Sequence, residues 1–356
     1  MKSIVFLSHL HDEHERGGAY LRNFALLSAL DSWGFKTRAF YRGEFKLHSQ
    51  KIKKYFMGLR FGREIRSLFT KATFDVPKCE ILILDTFKYF SWNLRFHGGR
   101  PLIIYNAHNL EFENHFGKES SPQKSRFALY ECERLMKMDI VLVCSEREKA
   151  LLCSINEKLA GKVFVFPNLV SSERFQSRQN HQRHFISFIG TLDYFPNIEA
   201  VKFLANDLYP LLPEDLKKRF IIAGRRASAQ VQQLCEEKAI NLQLDLSEAQ
   251  MTKLFLETSV LLVPLEHGSG TRLKIIEGAL AGCRILTTSI GREGIEKEGM
   301  VVSALDDFLD NLISLSNLGT EGEVGLEEEF LEKYELSSWA KKNKNTFLKC
   351  IEEKLS

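Results

Sequence analysis

Short, almost wholly apolar runs punctuate this chain, with amphipathic stretches between them, and the whole pattern occurs twice. The first round holds Ile4–Leu7, Lys36–Tyr41, Ile81–Leu84, Leu102–Tyr105, Ile140–Cys144 and Val163–Phe166. The second holds Phe185–Ile189, Arg219–Ala223, Leu242–Asp245, Ser259–Val263 and Arg284–Thr288. Runs such as Ile81-Leu-Ile-Leu84 lack the polar alternation of a strand with one wet face, so both faces are expected to be covered, as in a parallel sheet flanked by helices. Helical periodicity fills the gaps over residues 18–33, 197–212 and 228–238 and from Thr271 onward. The expected class is α/β, with two Rossmann-like doubly wound domains. Pro167-Asn168 ends the first round and the polar stretch Ser171–His184 reads as a linker, which puts the domains at 1–170 and 184–335. A chain of 356 residues has room for two cores. In the closing segment, 336–356, Trp339, Phe347, Leu348 and Ile351 fall at helical spacing.

Composition excludes several classes. Apolar residues make up 44% of the chain, but no uninterrupted run is long enough to cross a bilayer. Met1-Lys2-Ser3 leads straight into the first strand, leaving no signal-peptide core and pointing to the cytoplasm. Seven scattered cysteines without paired spacing read as reduced thiols. A net charge of +3 is too small to imply nucleic acid. The segment 42–78 is distinctive, with ten Lys or Arg interleaved with aromatic residues. It reads equally as a solvated helix or as a peripheral contact with an anionic membrane at its inner face, or with a charged, lipid-linked acceptor.

The segment Glu266-His-Gly-Ser-Gly-Thr-Arg-Leu-Lys-Ile-Ile-Glu277-Gly-Ala-Leu-Ala-Gly282 carries the chemistry. Val260–Val263 before it is a buried strand ended by Pro264. Gly268 and Gly270 let the backbone approach a ligand, with Ser269 and Thr271 beside them, and the N–H groups of the helix start offer a phosphate site. Lys274 and Glu277 share one helix face, so phosphate is expected near Lys274 and Arg272, and hydroxyls near Glu277. Those are the needs of a nucleotide sugar.

Gly268–Gly282 resembles the donor-site segment of family 4 glycosyltransferases, which have the GT-B fold. Phe188-Ile-Gly190-Thr191-Leu-Asp-Tyr-Phe-Pro-Asn197 is similar to the strand, turn and helix that open the C-terminal domain in one branch of that family. The resemblance implies two domains facing across a cleft, the second binding a nucleotide-diphosphate sugar and the first a glycan or lipid-linked acceptor, with the last helix returning to the N-terminal domain. It implies transfer with retention of anomeric configuration, in cell-surface polysaccharide or glycoconjugate synthesis, with no cofactor and no catalytic metal.

Residue by residue, it implies that Lys274 and Arg272 stabilise the leaving phosphate and that His108, in Ala107-His-Asn109, reaches the transferred sugar or the acceptor. Gly190, Thr191 and Gly268–Thr271 would line the donor, the base would lie near Leu244, the ribose on Glu277, and Gly17-Gly18 would meet the diphosphate or acceptor. The family's first carboxylate on this loop falls here on Ser269; either Glu266 substitutes for it, or Ser269 and backbone amides hold the sugar. The Arg and Lys that relatives carry after the first strand of this domain are also missing, leaving Arg225 and Arg226 as reserves. His9, His11, Asp12, Glu13, His14 and Glu15 offer metal-ligand chemistry, but neighbours in one loop seldom converge on one ion. A noncatalytic nucleotide-sugar-binding subunit and a sugar-nucleotide epimerase remain as alternatives.

Overall fold

The structure is a computed structural model that describes residues 2–8, 10, 17–41, 55–56, 59–60, 73–87, 93–116, 120–177, 181–268, 270–295, 299–318 and 327–355. Ser269, the His9 to Glu15 cluster apart from Leu10, and most of 42–72 lie outside the described residues. Two compact units divide the chain, one of Met1–Asn168 with Trp339–Ser356 and one of Leu169–Ser338.

In the first unit, β1 (Ser3–Leu7), α1 (Gly18–Ser32), β2 (Lys36–Phe40), β3 (Ile81–Leu84), β4 (Leu102–Asn106), α2 (Glu111–Phe116), α3 (Pro122–Leu135), β5 (Ile140–Val143), α4 (Glu146–Ile155) and β6 (Val163–Val165) follow in order. The six strands form one parallel sheet in the order β6-β5-β4-β3-β1-β2. The unbroken apolar runs are explained at once, because all four residues of β3 and of β5 are buried. Two small strand pairs, Tyr55–Phe56 with Leu59–Arg60 and Thr73–Val76 with Asn93–Phe96, lie in the β2–β4 connections.

The second unit contains β7 (Phe185–Thr191), α5 (Phe195–Phe203), β8 (Phe220–Arg225), α6 (Ala229–Glu237), β9 (Asn241–Leu244), α7 (Glu248–Glu257), β10 (Thr258–Val263), α8 (Leu273–Ala281), β11 (Arg284–Thr287), β12 (Val301–Val302), α9 (Phe308–Asn317) and α10 (Glu328–Tyr334). Its parallel sheet runs β9-β8-β7-β10-β11-β12. Strand order reverses between β7 and β10, and in open α/β sheets the crevice at such a point, beyond the carboxyl ends of the strands, is where ligands bind. The helix expected over 197–212 begins earlier, at Phe195, and from Leu204 passes through a wide π turn into a 3-10 turn at Tyr209–Leu211, where Pro210 supplies no N–H to the ladder.

The stretch read as a linker is in part built into the second unit. Ser172–Phe175 is a 3-10 turn with Phe175 buried at 2% exposure, and Val170 pairs with Glu335 in an isolated parallel bridge. The last helix, α11 (Leu336–Leu355), lies from Trp339 onward in the first unit. There Trp339 and Phe347 pack on Trp33, with ring centroids 6.1 and 5.0 Å away, and the Trp33 indole N–H donates to the Ala340 carbonyl at 3.0 Å. Phe164 and Phe166 close the same aromatic cluster.

Candidate functional site

Two loops adjoin at the carboxyl ends of β7 and β10. The first, Leu192–Tyr194, turns β7 into α5; the second, 264–272, turns β10 into α8. The Phe195 and His267 rings stand 5.6 Å apart across them. In the second loop Gly268 and Gly270 have φ of 105° and 80°, a left-handed backbone that side chains resist. A Cβ on Gly268 would lie 3.0 Å from Nη2 of Arg272, so the glycine also makes room for the guanidinium. Arg272 caps α8 without a side-chain cap bond, and its pKa is lowered, first by desolvation.

Lys274, in the first turn of α8, shares a helix face with Glu277, but the two side chains find different partners. The Lys274 Nζ donates to Oδ1 of Asn197 at 3.1 Å and sits 4.4 Å from the centre of the Phe188 ring. The lysine is half-buried, and its pKa is pushed down to about 7, chiefly by desolvation and then by the like charge of Arg272, with Glu277 pulling the other way. Gly190 leaves the space for this contact, since a Cβ there would stand 2.9 Å from Asn197 Nδ2 and 3.0 Å from Lys274 Nζ. Gly190→Ala is therefore expected to lose about 1 kcal/mol in urea unfolding, because two side-chain ends can shift. Gly224→Ala, whose Cβ would overlap the Gly190 carbonyl oxygen, should lose about 3 kcal/mol or more, since backbone cannot step aside.

Glu277, one turn further along α8, pairs instead with Arg174 of the 3-10 turn, Oε1 to Nη1 at 2.9 Å. Arg174 also donates to Thr252 Oγ1 at 3.3 Å and lies 5.3 Å from the Phe175 ring centre. Burial raises the Glu277 pKa, and Arg174 opposes that shift. Sequence reasoning missed Arg174, which lay in a supposed linker, and quoted Asn197 without giving it a role. The Pro-Asn pair at the start of α5 was the available signal for the second; nothing local marked the first.

The remaining second-unit candidates lie at strand ends and in the 264–272 loop. Thr191 ends β7 and its carbonyl accepts from Asn197 Nδ2 at 2.9 Å. Leu244 ends β9, next to Asp245, whose N–H reaches the Gly224 carbonyl. Thr271 is half-buried ahead of α8, and Glu266 is exposed at the start of its loop. Of the reserve cations, Arg226, at φ 53°, pairs with Asp193 at 3.2 Å, and Arg225 ends β8.

In the first unit, Gly17 is the N-cap of α1 at φ 148°, and Gly17 and Gly18 are both exposed. His108 follows β4 in a turn fixed from two sides. The Cys144 thiol donates to the His108 carbonyl at 3.4 Å, and burial pushes that thiol's pKa up to about 12, so it remains a donor. The buried Glu131 accepts the Glu111 and Phe112 N–H groups at 3.0 and 2.9 Å, while desolvation and then Glu111 raise its pKa to about 8. Arg22, 1% exposed, ties the strand ends together, donating to Asn106 Oδ1 at 3.0 Å, the Phe166 carbonyl at 2.8 Å and Asn168 Oδ1 at 3.2 Å. Among the described residues no cluster of His, Cys, Asp and Glu is arranged to hold a metal, and no helix is long and apolar enough to cross a membrane.

Residues 183–317 match the family model described as glycosyl transferases group 1. No curated protein matches the chain. Sucrose-phosphate synthase from Thermosynechococcus elongatus superposes with a TM-score of 0.65 at 14% identity, over 98% of this chain and 99% of that one. HepE of Anabaena, solved with UDP and glucose, gives 0.62 at 12% identity over 98% and 100%. The catalytic domain of starch synthase IV from Arabidopsis thaliana, bound to ADP and acarbose, gives 0.56 at 10% over 99% of each chain. The fold shared with these neighbours is that of GT-B glycosyltransferases.

Proposed function

We propose that this chain is a glycosyltransferase that takes its sugar from a nucleotide-diphosphate donor held by the second unit, at the β7/β10 crevice. The observation that carries the reading is the half-buried Lys274 ammonium, held beside Arg272 and the uncapped start of α8 where strand order reverses. The Lys274 ammonium is hydrogen-bonded to a neutral amide and stands beside the start of a helix, an arrangement that suits a diphosphate. The group 1 family match over 183–317 and the UDP and ADP bound in the HepE and starch synthase structures support it.

In this reading the bond between the anomeric carbon and the β-phosphate oxygen breaks with its electron pair moving to that oxygen. Lys274, Arg272 and the α8 amides stabilise the charge as it grows. The acceptor hydroxyl forms the new bond on the same face, giving retention, and its proton passes to the departing phosphate. Glu277 would hold the ribose hydroxyls, using the oxygen that Arg174 leaves open. The cations belong to the protein, so no divalent ion is needed. The first unit would hold a glycan or lipid-linked acceptor near His108 and Gly17-Gly18, on the inner face of a membrane.

The test is incubation with a panel of labelled nucleotide sugars and a membrane extract, with and without excess chelator. One donor is expected to pass its label to an extractable glycan or lipid and release the nucleoside diphosphate, equally in chelator. Binding without transfer would make the chain a nucleotide-sugar-binding subunit, and interconversion of the sugar an epimerase. Transfer abolished by chelator and restored by magnesium or manganese would bring a metal back.

A further inference from the structure

The partner of Lys274 is an amide where a buried lysine usually finds a carboxylate. Asn197 is 6% exposed, and its orientation is fixed, because Nδ2 donates to the Thr191 carbonyl and a carbonyl can only accept. Oδ1 is thereby turned toward the ammonium. Gly190 supplies the room that lets both groups reach this point. Among the described residues, the groups that β7 and α5 set against the Lys274 ammonium are neutral: the Phe188 ring, Gly190 and Asn197. Asp193, in the same turn, has its carboxylate engaged by Arg226. The charged groups acting on Lys274 are Arg272, which disfavours its positive form, and Glu277, which favours it but is itself paired with Arg174.

We propose that Asn197 positions Lys274 through a neutral hydrogen bond that leaves the ammonium charge uncompensated until a diphosphate arrives; this deepens, and rests on, the reading of the crevice as a donor site. A carboxylate in that place would hold the lysine as firmly and would also occupy its charge. The amide holds it without competing with the ligand. The cost is a weaker grip on the proton: desolvation and Arg272 bring the Lys274 pKa down to about 7, so the empty site is part neutral at physiological pH. Diphosphate binding then favours the protonated form, and a proton is taken up with the ligand. Because the lysine must be charged to hold the anion, affinity is full below that pKa and declines as pH rises through it.

Competitive acetylation of intact protein across a pH series, read residue by residue by mass spectrometry, reports the titration of Lys274 directly. In the ligand-free wild type, Lys274 is expected to label with a midpoint near neutrality, and saturating UDP, ADP or GDP, whichever binds by calorimetry, to move that midpoint up by at least one pH unit. Asn197→Asp should move the ligand-free midpoint up by at least one unit while weakening diphosphate affinity tenfold or more. A merely structural asparagine would change folding, followed by circular dichroism, without moving titration and affinity in opposite directions. The inference is overturned if the wild-type midpoint sits in the ordinary lysine range, or if a folded Asn197→Asp leaves it unmoved. If Asn197→Asp fails to fold, the wild-type midpoint and its response to nucleotide decide alone. If no nucleoside diphosphate binds while the ligand-free shift is seen, the positioning role stands and the donor-site reading fails.

Discussion

Lys274→Met lowers kcat at saturating donor on the order of 10²-fold or more, equivalent to about 2.7 kcal/mol, with KM changed far less. The expectation follows from where the ammonium is held, over the Phe188 ring and against the Asn197 amide, in surroundings that strip away water. An interaction with the leaving phosphate grows as charge develops there, so its loss falls on the transition state more than on the ground state. Methionine keeps most of the side chain's length and apolar volume without its charge. Lys253 is the control: it is 65% exposed and stands 3.7 Å from Glu257, a surface pair worth about 0.3–0.5 kcal/mol. Lys253→Met should leave turnover unchanged. Steady-state kinetics on both variants checks the pair, and a kcat for Lys274→Met within threefold of wild type returns the leaving-group role to Arg272.

Arg174→Met is expected to destabilise the second unit by about 3 kcal/mol, because it strands the Glu277 carboxylate at 11% side-chain exposure. Arg174→Met with Glu277→Gln should recover most of that loss, since no buried charge is then left unpaired. The pH dependence has a definite sign. Burial already holds the Glu277 pKa above the usual carboxylate value, with Arg174 opposing the shift, and removal of Arg174 raises it further. A carboxyl whose folded pKa lies above its unfolded one loses stability as pH climbs from the unfolded toward the folded value. The deficit of Arg174→Met is therefore smallest in acid and grows toward neutrality, while the double variant shows no such trend. Urea unfolding at several pH values checks this, and a pH-independent deficit would show that Arg174 acts through packing on Phe175.

The strands were legible because parallel sheets bury both faces, and a run such as Ile140-Val-Leu-Val143 has no other comfortable place. The β10–α8 segment was legible for a related reason: two glycines, a helix start and a spaced lysine and glutamate all fall within one local stretch. What that stretch does not contain is its partners. Lys274 finds Asn197 at a separation of 77 residues and Glu277 finds Arg174 at 103, and helical spacing carries no trace of either contact. Arg22 was hidden by its own type, since an arginine in an amphipathic helix is expected in water. Its three hydrogen bonds, reaching as far as Asn168, are what make its burial tolerable.

The seating of α11 on the first unit sets a condition on synthesis. Trp33 leaves the ribosome early, yet two of the rings that cover it, Trp339 and Phe347, are translated after the whole of the second unit. Through most of translation the nascent first unit carries an uncapped aromatic face of Trp33, Phe164 and Phe166. Domains fold in the order they emerge, and a domain awaiting its last element is where aggregation and misassembly start. A chain that stopped shortly before residue 339 would hold a whole second unit and a first unit that lacks its covering helix.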